Sequence, residues 1–272
     1  MVTSLPVGAV RPRALSPRPS VREAFDQSLA MAWRALLKMR RNPEQFFDVT
    51  LQPLLFTAMF TYIFGGAVAG STASYLPIII PGILAQTTLT ACMATGIQLR
   101  EDMDKGVFDR FKAMPIARIA PLAGSALADL LRYAIAATLT ICVGIAMGYH
   151  SGGGVAGVLG GWLLTVVAGW SLAWVFTWLG AIARSAQAVQ GISMMVMFPL
   201  SFLSNAFVPT QTMPGWLQAF VNVNPVSLVI TAVRDLMNDG VFTANVAWAL
   251  VGCAVTVMVF APLAVRAYSR KM

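Results

Sequence analysis

Few residues in this chain have the type and spacing for chemistry. Cys92, Cys142 and Cys253 each sit inside an apolar run, with no paired spacing and far from any histidine cluster, so neither a disulfide framework nor a metal site is indicated. The sole histidine, His150, lies in a Gly-rich connection beside Ser151, Gly152, Gly153 and Gly154 and reads as a solvated loop residue. Asp129 and Arg132 are three apart inside an apolar run, which puts them on one side of a helix. There they form either a structural ion pair or a counter-ion for a substrate. Asp235 and Asp239, four apart with Arg234 beside them, are the acids that a membrane-embedded lipid-modifying enzyme would use, and that reading stays open as the alternative from another class. No chain of buried acids suited to proton coupling is present, and none of the four lysines, Lys38, Lys105, Lys112 and Lys271, closes a G-x-x-x-x-G-K-[ST] phosphate loop.

The densest charge lies between Glu101 and Arg118. There Glu101, Asp102, Asp104, Lys105, Asp109, Arg110, Lys112 and Arg118 interleave with Val107, Phe108, Phe111 and Met114, around Gly106. Mixed charge with aromatic anchors suits docking on a soluble partner by ionic and apolar contacts together. A solvated loop whose charges only fix topology is the other reading of the same residues.

The elements that must position these residues are membrane helices. The chain has 272 residues, 57% hydrophobic and 11% charged, too few charges to cover a water-soluble surface. Runs of about 20 apolar residues, enough to cross the hydrocarbon layer, recur along it. They predict an all-α polytopic membrane protein with six transmembrane helices, drawn at 49–69, 76–99, 121–148, 157–182, 188–209 and 246–266. Pro53, Pro77, Pro81, Pro199 and Pro262 fall inside these spans, tolerable where neighbours re-satisfy the freed carbonyls.

Of 19 Lys and Arg residues, eight precede the first span and five fill the connection after the second, while the first and third connections have none. The positive-inside rule then puts both termini in the cytoplasm. Residues 1–20, rich in Pro and Arg, read as a disordered basic tail. Residues 21–44 hold an amphipathic helix, with Val21, Phe25, Leu29, Ala32, Leu36 and Met39 on one face and Glu23, Gln27, Arg34, Lys38 and Arg41 opposite. Such a basic helix lies flat in the headgroup layer of the membrane, apolar side down against the lipids, and an ordinary helix packed on a soluble partner is its other reading. Residues 45–272 form the membrane domain. Between spans five and six, Trp216, Leu217, Phe220 and Val221 and then Val226 to Val233 predict two short extracellular interfacial or re-entrant helices, each too short to cross.

A pathway for an apolar or amphipathic compound would draw on soft side chains at a kink and on sparse polar groups. Met194, Met195, Met197, Phe198 and Phe202 surround Pro199, and Gln52, Gln86, Thr87, Thr88 and Thr90 lie in spans one and two. Simple packing and helix-to-helix hydrogen bonding are their other readings. Trp162, Trp170, Trp174 and Trp178 form one stripe at multiples of four, suited to lipid-facing packing or interface anchoring, with drug stacking as the lesser alternative.

The pattern Asp-Lys-Gly-x-x-x-Arg-Phe-x-x-x-Pro-x-x-Arg at Asp104 to Arg118 resembles the signature after the second span of type-2 ABC exporter permeases. Arg40-Arg41-Asn42-Pro43-Glu44, Gln52-Pro53, Ser204-Asn205-x-Phe207-Val208-Pro209, Met213-Pro214-Gly215-Trp216-Leu217-Gln218 and Asn224-Pro225 fit the same frame. Together they resemble the daunorubicin/doxorubicin-resistance permease subfamily from about residue 20 onward. That resemblance implies a permease without ATPase motifs, in the bacterial cytoplasmic membrane, that effluxes hydrophobic or amphipathic drug-like compounds by alternating access. Lipid or glycolipid export is the alternative within the family. The resemblance further implies a homodimer working with two copies of a cytoplasmic ABC ATPase, which carries the ATP and Mg. It assigns 101–118 as the coupling helix and 21–41 as an interface helix. No nucleic-acid partner is expected.

Overall fold

The computed structural model describes residues 26–27, 29–33, 37, 43–106 and 120–271; the side chains of 43–50, 52, 120, 121 and 271 lie outside that description. Every regular element among the described residues is helical. The long helices are α1 (Pro43–Ala69), α2 (Thr72–Asp104), α3 (Ala120–Ala146), α4 (Gly154–Ile182), α5 (Ala186–Phe202) and α8 (Ala244–Lys271). Two short helices, α6 (Gly215–Val223) and α7 (Pro225–Arg234), stand between α5 and α8, and α7 runs on as a π-helical turn, Asp235–Asp239. By length and composition α2, α3, α4 and α8 can each cross a membrane, and the bent pair α6–α7 counts as a fifth candidate. The apolar parts of α1 and α5, Pro53–Ala69 and Ala186–Phe202, are shorter. The shown architecture is thus an all-helical bundle with four or five candidate spans.

α2 is the axis of the bundle: 72% of its apolar window is buried, against 17% for α8. It packs on α1, α3, α4, α5 and α7. Its buried surface runs all the way round, through Tyr75, Leu76, Ile79, Ile80, Ile83 and Leu84 on one half and Pro81, Gly82, Ala85 and Leu89 on the other, as expected of a helix enclosed by neighbours. Where no hydrophobic driving force separates helix from lipid, close backbone approach takes its place. A Cβ on Gly96 would collide with the Phe176 carbonyl, and one on Gly180 with the Gly96 carbonyl, so α2 and α4 cross nearly backbone to backbone. α4 supports this with small buried residues at every fourth position: Gly157, Gly161, Thr165, Gly169, Ala173, Thr177 and Ala181.

Two expected boundaries are corrected. The fifth span was drawn to 209, but α5 ends at Phe202. Pro199 interrupts its last turn, Leu203 leaves helical geometry, and Asn224 donates to the carbonyls of Leu200 (2.8 Å) and Leu203 (3.0 Å) that the ending helix leaves free. The third span was drawn to 148, but α3 stops at Ala146, because Gly148 turns the chain at φ 96°. Three helices, α2, α5 and α7, start at side-chain caps: Ser71 accepts from Ser74 N–H, Ser185 from Ala188 N–H, and Asn224 from Val226 N–H with Pro225 at the first helical position.

Candidate coupling and transport sites

Glu101, Asp102 and Asp104 form the last turn of α2, so the proposed docking residues begin on a rigid extension of the central helix. The Lys105 N–H bonds the Glu101 carbonyl, and Gly106 turns away at φ 65°, a left-handed helix end that glycine adopts without strain. The Lys105 ammonium lies 3.0 Å from Glu101, and that hydrogen bond raises the Lys105 pKa above its ordinary value. Arg100 pairs with Asp104 and donates to the Ala183 carbonyl (2.9 Å) at the end of α4, joining the end of α2 to the α4–α5 connection. Beneath it, Leu99, Leu122, Ala181 and Tyr268 make a small core where α2, α3, α4 and α8 meet. Phe108, Asp109, Arg110, Phe111 and Arg118 lie outside the described residues.

Of the expected amphipathic helix, residues 26, 27, 29–33 and 37 are helical, while Phe25, Arg34, Leu36, Lys38 and Arg41 lie outside the described residues. Leu29 and Trp33, one helical turn apart, are 56% and 65% exposed, and Ala32 is buried.

Deep in the bundle, Asp129 and Arg132 form a buried ion pair at 2.8 Å on α3. Thr95 of α2 completes it. Its hydroxyl donates to Asp129 (2.9 Å) and, with that proton committed, accepts from Arg132 (2.7 Å) and from the Tyr133 hydroxyl (2.9 Å). Arg132 also donates to the Ala91 carbonyl at 2.8 Å. Cys92 donates to the Gly169 carbonyl of α4. The structural reading of the pair therefore holds: it fastens α3 to α2, and nearly every valence is used. Beside it a small pocket is lined by Thr95, Ser125, Asp129, Trp170, Trp174 and Thr177, among others.

The pathway candidates do not converge on one cavity. Gln86 accepts from Ser201 of α5, a helix-to-helix bond, and Thr90 donates to the Gln86 carbonyl of its own helix (3.0 Å). Met197 is buried with Val189, Ser193 and Ser201 on one face of α5, whereas Met194, Phe198 and Phe202 are exposed. Phe198 stacks on Phe202, which meets Phe207; Phe207 in turn stacks on Phe60 of α1. The backbone of Gln52 is placed in α1, and its side chain lies outside the description. The tryptophan stripe is divided among partners: Trp162 donates to Thr138 (3.0 Å) of α3, Trp170 meets Trp174 edge-on, and Trp178 meets Phe260 of α8.

A third cluster stands at the opposite end of the bundle. α6 and α7 meet at 82°, and α7 is driven into the core, burying Val226, Ile230, Ala232 and Val233. Its last residue, Arg234, donates to the carbonyls of Ile78 (2.8 Å) on α2 and of Asn205 (2.6 Å) in the segment after α5. Tyr75 donates to the Phe207 carbonyl at 2.7 Å. Pro81 lacks the N–H that would bond the Pro77 carbonyl, and Asn238 supplies the missing donor at 2.9 Å. Tyr149 then holds Asn238 by donating to its side-chain carbonyl (2.7 Å). Asp235 accepts from Asn245 (2.9 Å) and from Thr243, and so caps the approach to α8. Arg234 and Asp235 are thus occupied in joining elements, while Asp239 is exposed. The cluster's marks in the sequence are the Asn205 motif, Pro77 and Pro81, the apolar run Val226 to Val233, and Arg234 beside Asp235.

Comparison with known proteins agrees with this architecture. The family model described as ABC-2 type transporter matches residues 26–238. The chain is 43% identical, over 93% of its length and 90% of the relative's, to the daunorubicin resistance ABC transporter permease protein DrrB1 of Streptomyces coeruleorubidus. It is 25% identical, over 88% of its length and 87% of the relative's, to the probable doxorubicin resistance ABC transporter permease protein DrrC of Mycobacterium tuberculosis. It is 28% identical, over 82% and 79%, to the putative transport permease ycf38 of Porphyra purpurea. A long central helix carrying a charged extension, packed within an all-helical apolar bundle, and a family match across most of the sequence lead to one conclusion: the chain belongs to the ABC-2 type transporter family.

Proposed function

We propose that this permease exports hydrophobic or amphipathic drug-like compounds by alternating access, as a homodimer with two copies of a cytoplasmic ABC ATPase that binds ATP and Mg. The observation that carries the reading is the 43% identity, across nearly the full length of both chains, to a permease named for daunorubicin resistance. The six-span topology belongs to the same proposal: α1 and α5 complete the set with α2, α3, α4 and α8, both termini face the cytoplasm, and the α6–α7 pair is re-entrant from outside. Exposed apolar faces on α1, α5 and α8 support this placement in the bacterial cytoplasmic membrane, between lipid and a second copy. The uncovered Leu29 and Trp33 support an interface helix within 21–44, following a basic tail over 1–20 and preceding the membrane domain over 45–272.

Glu101 to Arg118 is the coupling segment in this reading. Because its first turn is continuous with α2, a push from the ATPase enters the central helix directly, and the Arg100 link shares it with α4 and α5. The substrate pathway runs along the exposed Met194, Phe198 and Phe202 face of α5, with Met197, Gln52, Gln86 and Thr90 flanking it. Everted vesicles containing the permease and its ATPase should accumulate daunorubicin when given ATP and Mg. Absence of ATP-dependent accumulation and of any daunorubicin-stimulated ATPase activity would remove the drug-export reading.

A further inference from the structure

α8 packs chiefly on α4 and α7, and one side of it has no neighbour among the described residues. Val246, Cys253, Ala264 and Tyr268 are buried toward the bundle, while Trp248, Val251, Val255, Val259 and Leu263 are exposed on the opposite side. At 3.6 residues per turn, Arg266 falls on the outward line of Trp248 and Val255, and Arg270 follows one turn later; both are exposed. Arg266 stands eighteen residues beyond Trp248, about 27 Å at 1.5 Å per residue, close to the roughly 30 Å of a hydrocarbon layer. Every exposed residue of α8 between them is apolar. The outward side is thus a membrane ruler: an interfacial tryptophan, an apolar column, then two arginines at the depth of the far headgroups. No carboxylate pairs with either arginine among the described residues.

We propose that Arg266 and Arg270 hold the headgroup phosphate of an anionic phospholipid whose acyl chains lie along Leu263, Val259 and Val255. Two planar guanidinium forks one turn apart can divide the oxygens of one phosphate between them, and the uncompensated double charge favours a headgroup that is negative overall. A zwitterionic lipid brings its own cation against the site. A second copy is the poorer occupant, because a two-fold axis along the membrane normal would set arginine against arginine if this face met its own copy. The inference rests on the membrane placement proposed above, and deepens it by naming a lipid that the permease selects. It does not depend on the exported compound: its test uses neither drug nor ATP, and a failed drug-transport assay would leave it standing.

The sample is the permease–ATPase complex in detergent micelles, titrated with phosphatidylglycerol or with phosphatidylcholine of matched chains, and bound lipid is counted by native mass spectrometry. Wild type should bind its first phosphatidylglycerol at least about fivefold more tightly than phosphatidylcholine. Arg266→Gln with Arg270→Gln should weaken phosphatidylglycerol binding roughly five- to twentyfold and leave phosphatidylcholine binding within about twofold. Arg184→Gln, at an exposed arginine in the α4–α5 connection, should leave both affinities unchanged. Equal binding of the two lipids by wild type, or an undiminished preference in the double variant, would overturn the proposal. So would an equal loss in Arg184→Gln, which would make the preference a property of the basic surface at large. Efficient copy-to-copy cross-linking through Val255→Cys would overturn it as well, by giving the face to a second copy.

Discussion

Removing one member of the buried pair on α3 should be far more damaging than removing both. Asp129 and Arg132 are 7% and 6% exposed, 2.8 Å apart, and tied to Thr95 and the Ala91 carbonyl. Asp129→Leu strands a guanidinium in the bundle with only hydroxyl and carbonyl partners, at a cost of about 3–5 kcal/mol, or roughly 10²–10⁴-fold in the folding equilibrium. Asp129→Leu with Arg132→Met removes the charge altogether. What remains lost is the hydrogen bonding to Thr95 and Ala91, which in membrane bundles averages only about 0.6 kcal/mol per bond. The double variant should therefore recover most of the stability that the single variant loses, with a coupling energy above about 3 kcal/mol in the cycle. Reversible unfolding in mixed micelles, followed by circular dichroism, measures all four corners. If the single and double variants unfold at the same denaturant fraction, the pair carries no interaction of this size and its role as the α2–α3 fastener is wrong.

Gly96→Val should abolish recovery of folded permease, because the new Cβ would meet the Phe176 backbone, which has no flexible end to yield, whereas Gly252→Ala, at an open position on α8, should be neutral by size-exclusion profile. Phe108→Ala with Arg110→Glu should leave membrane insertion intact and lose both ATPase co-purification and efflux; retention of both would end the coupling assignment of 101–118. The Tyr149 phenol, pushed up to about 12 from 10 by burial, keeps its proton throughout the physiological range. Its folded pKa exceeds its unfolded one, so its contribution is fully present below about pH 10 and declines as pH rises toward 12. Thermal stability of wild type minus that of Tyr149→Phe should accordingly be flat from pH 6 to 9 and fall between about pH 10 and 12, and the absence of that fall would contradict the burial.

What the sequence made legible follows from the length scale of each signal. Apolar runs and the distribution of Lys and Arg are spread over tens of residues, so the helical class and the approximate positions of α2, α3, α4 and α8 could be read directly. Asp129 and Arg132 were readable as a pair because both lie on one helix at a fixed spacing. Thr95 was not, since its approach depends on how α2 crosses α3. The same holds for Arg234: its partners are backbone carbonyls of Ile78 and Asn205, which carry no mark in the sequence. The early end of α5 depended on Asn224, a residue over twenty positions away whose side chain takes the last carbonyls. Small residues at every fourth position of α4 were visible in the sequence, though only the contact of Gly180 with Gly96 shows that they set the spacing of the two central helices.

The contacts of Arg234 also bear on how this family can diverge. A guanidinium held by main-chain oxygens reads the path of the chain and is indifferent to the side chains at residues 78, 205 and 206. Lineages can therefore exchange those side chains, and with them the character of the surrounding surface, without loosening the joint, provided the arginine and the local backbone course remain. The arginine itself has no such latitude. A lysine could not keep the Nε–H contact to the Ile78 carbonyl (3.3 Å) alongside the bonds that the Nη2 nitrogen makes to Ile78 and Asn205, and its more strongly hydrated ammonium would cost more to bury. Mutational drift should thus be broad around this end of the bundle and narrow at one residue, so that specificity can be remodelled there while the frame stays fixed.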